Sequence, residues 1–147
     1  MKIRTLLPLV VTAFCLISCK PQPTSLMIDL VSDASALYSE GYRVDAKMHN
    51  VSHRDFDAYQ YAAIRSSRPT FGWIVPDMGS GTMQITYHVV VDDNREDASA
   101  HRGKVWNSGE VVSSSSVAVE YGGEDLQPSK LYYWSVRVGT NHGRSAW

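Results

Sequence analysis

The chain has 147 residues, of which 44% are hydrophobic and 20% charged, with 14 Lys and Arg against 15 Asp and Glu. That length predicts one domain, with eight Tyr and four Trp to fill a small core. A net charge of −1, about −3 once the leading Lys2 and Arg4 are set aside, leaves no basic footprint and excludes nucleic acid as the expected partner.

In chain order, residues 1–18 carry Lys2 and Arg4 and then a run from Leu6 to Ile17 that is apolar but for Thr12. A positive start and an apolar run of this length predict a secretory signal peptide, too short and poorly flanked for a spanning helix. The segment closes Leu16-Ile17-Ser18-Cys19, which resembles a bacterial lipobox. The resemblance implies that Cys19 is acylated and becomes the new N-terminus, with 19–25 as a Pro-rich tether. The alternative is an ordinary signal peptide with a chance cysteine. Cys15 falls in the discarded part, so no thiol remains for a disulfide or a Cys-ligated metal. Acyl chains on Cys19 make membrane lipid the first expected partner. With Lys20 where an Asp would signal inner-membrane retention, the lipobox resemblance implies an expected location in the cell envelope, on the outer membrane, facing the periplasm or the surface.

Residues 26–68 give mixed signals. "SLMIDLV" reads as a first strand and "GYRVDAKMH" as a short one. The stretch 54–64 fits neither the helical nor the strand period, being either a helical turn or an extended cover over a sheet. The segment is expected as a first strand plus an irregular insertion.

From residue 69 the pattern is strand-like. "TFGWIV" sets Phe71, Trp73 and Val75 on one face, and "MQITYHVVV" sets Ile85, Tyr87, Val89 and Val91 on one face with Thr86, His88 and Val90 opposite. "KVWNSGEVV" carries a turn or bulge cluster at Asn107-Ser108-Gly109. "SSVAVEY" alternates Val117, Val119 and Tyr121, and "LYYWSVRV" alternates Tyr132, Trp134, Val136 and Val138. Short alternating strands at this spacing predict an all-β sandwich over 69–147.

"LQPSKLY" narrows the fold. Leu126, Pro128 and Tyr132 have the Leu-x-Pro-x-x-x-Tyr spacing of a tyrosine corner, in which the phenol hydroxyl reaches back to the backbone upstream. The expected fold is a fibronectin type III or immunoglobulin-like β-sandwich with strands A, B, C, C′, E and F, and a core of Trp73, Tyr87, Leu126, Tyr132 and Trp134. Residues 131–138 would be strand F, 140–144 a turn and 145–147 the lead into a strand G, so the sandwich is expected to lack its last strand.

"RPTFGWIV", "MQITYHVVV", "VWNSGEVVSSSS", "VEYGGEDLQPSKLYYWSVRV" and "NHGRSAW" together resemble the N-terminal region of bacterial α-L-rhamnosidases, lipoprotein forms of the Bacteroides type in particular. The matching positions include Pro69, Phe71, Trp73, Gln84, Tyr87, Trp106, Ser108, Gly109, Tyr121, Gly123, Leu126, Tyr132, Tyr133 and Trp134. Asn107 stands where the family has Asp, and Ile85-Thr86 where it has Thr-Ala. The resemblance implies a non-catalytic structural or spacer module of an α-L-rhamnosidase-like glycoside hydrolase. Later modules of the same chain, including an (α/α)6 catalytic barrel, would be its partners.

The residues themselves offer little chemistry. Asp92-Asp93, Glu96-Asp97 and Glu124-Asp125 read as solvated turn acids rather than the paired carboxyls of glycoside hydrolysis. His49 and His53 share helical spacing but lack a third ligand, so no metal and no cofactor is expected. Trp106 and Tyr133 are the candidate glycan contacts of an alternative reading, a carbohydrate-binding module. Trp106 covering the sheet edge beside a bulge is the simpler reading. A second alternative is a free-standing envelope adhesion or assembly lipoprotein.

Overall fold

The computed structural model describes residues 20–147. Cys19 and the segment before it lie outside the described residues. The strands in chain order are β1 (Thr24–Ile28), β2 (Val31–Ser32), β3 (Ala36–Ser39), β4 (Tyr42–Lys47), β5 (Gln60–Tyr61), β6 (Thr70–Ile74), β7 (Gln84–Asp92), β8 (Trp106–Asn107), β9 (Val111–Val112), β10 (Val119–Glu120), β11 (Tyr133–Thr140) and β12 (Gly143–Arg144). One short helix, α1 (Arg95–Ser99), follows β7.

These strands form two principal antiparallel sheets. One has the order β10-β6-β1-β2, and the other β12-β11-β7-β8 with β9 also on β7. The chain is an immunoglobulin-like β-sandwich, with β1, β6 and β10 as strands A, B and E and β7, β8/β9 and β11 as C, C′ and F. Alternating apolar residues form it because inward side chains of both sheets must exclude water while every second residue faces out. Phe71 and Trp73 from one sheet meet Val89, Val91, Val136 and Val138 from the other, closed off by Val119 and Tyr121. Each such large apolar side chain contributes about 1.5–3 kcal/mol when fully buried. Tyr87, Leu126, Tyr132 and Trp134 pack half-buried against this cluster, and Trp73 within it is only 1% exposed.

The tyrosine corner forms. The Tyr132 hydroxyl accepts a hydrogen bond from the Gln127 N–H at 3.1 Å, fixing the chain as it enters β11. Across the bulge cluster, Ser108 stands in for lost ladder bonds. Its N–H donates to the Val89 carbonyl at 3.0 Å, and its Oγ accepts from the Val89 N–H at 2.9 Å.

Two expectations about β7 are corrected. Ile85 does not face the core but is 49% exposed. The register with β11 runs Gly139 to Thr86 and then Thr140 to Gln84, so Ile85 is the extra residue of a β-bulge. Gln84 takes the inward place instead, and its Oε1 accepts from the Trp73 indole N–H at 2.9 Å. Its Nε2 donates to the Ser113 and Ser115 carbonyls at 3.2 and 2.7 Å. Val90, expected on the open face, is 1% exposed, because the loop at Gly103 lies over it.

The stretch read as an irregular insertion is ordered. β3, β4 and β5 make a three-stranded antiparallel sheet in the order β4-β3-β5, with a 3-10 turn at His53–Ala58. Ala36, Leu37 and Phe56 are buried there, and the Phe56 and Tyr61 rings sit 5.8 Å apart.

β12 begins two residues earlier than the expected strand G lead, pairing Arg144 with Gly139 and Gly143 with Thr140. The Ser145 N–H continues the ladder to the Val138 carbonyl at 2.9 Å, and its Oγ accepts from the Val138 N–H at 3.0 Å. Beyond that point, over 133–137, no strand lies on this edge of β11 among the described residues.

Candidate functional site

The outer face of the β7–β11 sheet carries a group of polar, charged and aromatic side chains. Strand parity sets it there: Arg137 lies directly across from His88, and Ser135 across from Val90. The His88 Nε2 lies 2.7 Å from the Asn107 Oδ1 on β8, and the His101 Nδ1 lies 2.9 Å from the Ser135 Oγ. Trp147 closes the group from the C-terminal segment. Its indole stacks on the His101 ring at 4.9 Å and 12°, meets the His88 ring edge-on at 5.0 Å, and lies 4.7 Å from the Arg137 guanidinium. Burial in this stack pushes the His101 imidazole below its ordinary value of 6.5. The Asp92 carboxylate opposes that shift and the Arg137 charge adds to it.

Beside this group stand acids that were expected to be solvated and are not. Asp92 is 1% exposed, and its two oxygens accept the backbone N–H groups of Gly103 and Lys104 at 3.0 and 2.8 Å. Asp97, inside α1, is 5% exposed and pairs with Arg102 and Lys104 at 2.8 and 2.9 Å, while its N–H is capped by the Asn94 side chain. The reason is tertiary: the loop that folds back over Val90 brings donors down onto both carboxylates. Their neighbours differ, with Asp93 paired to Lys130 at 2.8 Å and Glu96 exposed. Asp125 is an exposed partner of Arg68 at 2.6 Å. Each neighbouring pair in the 92–97 loop is thus split between a pinned, buried acid and an exposed one. The pinned acids hold the loop against the sheet.

The candidate glycan contacts do not come together. Trp106 pairs with Val91, and Val91 with Trp134, so the Trp106 side chain points to the core side of the sheet. There its ring stacks on Phe71 at 6.1 Å and 12° and meets Tyr121 edge-on at 5.0 Å. Tyr133, one residue out of phase with Trp134, points to the opposite side. The side chains of His49 and His53 lie outside what the structure describes. Among the described residues no group of three or more His, Cys, Asp or Glu could hold a metal ion. Among them too, no helix is long and apolar enough to cross a membrane.

The His88–His101–Arg137–Trp147 group escaped the sequence reading. Alternation puts His88 and Arg137 on one face, but their adjacency depends on register, and the approach of His101 and Trp147 depends on loop paths.

Residues 51–147 match the family model for the Rha78A-like, N-terminal immunoglobulin domain. The chain belongs to that family. An α-L-rhamnosidase of Formosa agariphila is 40% identical over 76 residues, which are 52% of this chain and 8% of that protein. An α-L-rhamnosidase of Streptomyces avermitilis is 37% identical over 83 residues, 56% of this chain and 8% of that protein. Among solved structures, the S. avermitilis α-L-rhamnosidase complexed with L-rhamnose is similar at a TM-score of 0.60 and 27% identity, over 86% of this chain and 10% of that one. An α-L-rhamnosidase from Dictyoglumus thermophilum shares the fold at a TM-score of 0.62 and 22% identity, over 87% of this chain and 11% of that one. The chain therefore spans about a tenth of the length of the relatives it matches.

Proposed function

We propose that this N-terminal immunoglobulin-like domain is a non-catalytic positioning module of a lipid-anchored, α-L-rhamnosidase-like glycoside hydrolase that takes part in glycan degradation. The observation that carries this reading is the match itself. It falls on the N-terminal immunoglobulin domain of the family and on 8% of each α-L-rhamnosidase relative. The polar groups agree with a structural role, since the buried acids Asp92 and Asp97 are spent on backbone N–H groups and ion pairs. On this reading, acyl chains on Cys19 hold the domain at the outer membrane, and the sandwich sets later modules at a fixed distance from the lipid. A carbohydrate-binding role finds less support, because Trp106 packs into the core and Tyr133 points away from it.

The test uses the longer protein that the proposal requires. Removing residues 20–147 lowers its thermal midpoint while leaving hydrolysis of a small synthetic rhamnoside by the folded fraction intact. Loss of glycan affinity with unchanged stability would instead make the domain a binding module. Cys19→Ala moves the protein from the membrane to the soluble fraction; continued membrane retention would remove the lipid anchor from the account.

A further inference from the structure

Among the described residues, the segment 143–147 is held by two residue pairs in β12, the Ser145 N–H and Oγ bonds to Val138, the Arg144–Glu110 ion pair, and one bond from the Ala146 N–H to the Pro21 carbonyl at 2.9 Å. That last bond ties the segment to the chain just after Lys20. The largest side-chain contact is Trp147, and three groups able to carry positive charge surround its indole: His88, His101 and Arg137. We propose that His101 is the proton sensor of a latch. With a neutral imidazole it stacks on Trp147 and keeps 143–147 seated; once protonated it releases the segment and, through Ala146, the chain at Pro21.

The charges around His101 decide the direction. From β7, Asp92 faces it, but both oxygens of that carboxylate already accept backbone N–H groups. From β11, Ser135 bonds its Nδ1 and Arg137 brings a fixed positive charge onto the same indole. His88 meets the indole edge-on, bonded in turn to Asn107 of β8. Arg102, next in sequence to His101, is taken by Asp97, and Glu110 is taken by Arg144. An imidazolium over an indole gains about 0.5–1 kcal/mol at an exposed site. Against that gain stand its desolvation in the stack and its repulsion from Arg137, and the desolvation is the largest influence on this ring. A His whose folded value is depressed stabilises the closed form fully above its free value of 6.5, and that contribution is lost as the pH falls from there through the folded value.

The experiment follows the full chain in a neutral detergent by NMR from about pH 8 to about pH 5, a span that brackets an ordinary histidine. The Trp147 indole N–H is assigned through Trp147→Phe. Its resonance and the Ala146 amide should move together, with one midpoint below 6.5 that matches the titration of the His101 ring carbon. His101→Gln should remove the step and His88→Gln should keep it. A Trp147 signal that does not move, a step that survives His101→Gln or vanishes in His88→Gln, or a His101 midpoint different from that of Trp147 would each overturn the latch. The ring-carbon comparison is made on the unmodified chain, so it decides even if a variant fails to fold.

Discussion

Asp97 shows how far a single residue can depart from its local sequence. In "DDNREDASAHR" it is one acid among several in a polar loop, and nothing in the spacing marks it. In the fold, the Asn94 amide and then the Lys104 ammonium hold its carboxyl below the usual 3.8, with Arg102 helping. Because the folded value is depressed, the unfolded chain takes up the proton first on acidification. Its contribution is therefore complete above 3.8 and is lost as the pH falls through the folded value. Thermal midpoints should fall below about pH 4 in the parent chain and fall less steeply in Asp97→Asn; parallel curves would remove Asp97 from the account. Gly103 makes the companion case. It adopts φ +63°, and a Cβ there would sit 2.9 Å from the Trp106 carbonyl and 3.0 Å from the Val90 side chain. Gly103→Ala should lower stability by about 1–3 kcal/mol in denaturant unfolding, since neither strain nor overlap can relax without lifting the loop. A change under about 0.5 kcal/mol would mean the loop does not press on Val90. Trp73 and Tyr132 could be read from alternation and corner spacing alone. Asp92, Asp97 and Gln84 could not, because their burial depends on what folds over them.

Period-two alternation serves long strands and fails short ones. β7 and β11, with nine and eight residues, carry enough alternation to fix a core face. Even there the bulge reversed the reading at Ile85, since one extra residue shifts everything before it to the other side. β3, β4 and β5 have four, six and two residues, too few for the period to emerge above composition. Only β4 was legible, as the short strand in "GYRVDAKMH"; β3, β5 and the sheet they form with it depend on pairing. The same difference in length sets local stability. β7 is paired on both sides, to β11 along one edge and to β8 and β9 along the other. Its amides should exchange with solvent most slowly, by at least about a hundredfold relative to those of β2, β5 and β12, which have two residues each. Uniform protection across all strands would contradict this picture of a central pair with lightly held additions.

At the scale of the whole molecule, five quoted stretches in order already pointed to a sandwich of the α-L-rhamnosidase N-terminal kind. The family match over 51–147 and the two-sheet topology agree with that reading. What the sequence withheld was which acids and aromatics do structural work. Trp106 could be read as a cover on the sheet edge or as a glycan contact, and it packs against Phe71 and Tyr121. The acids looked free, and the central ones are pinned. Both facts assign those side chains to the fold: Trp106 to the core, Asp92 and Asp97 to the loop over Val90. On the proposed function, this domain holds and positions later modules and does not itself cleave. Incubating the purified chain with a chromogenic α-L-rhamnoside tests it most directly. Release should be no greater than in buffer; saturable release that copurifies with the folded chain and disappears when it is unfolded would overturn the non-catalytic role.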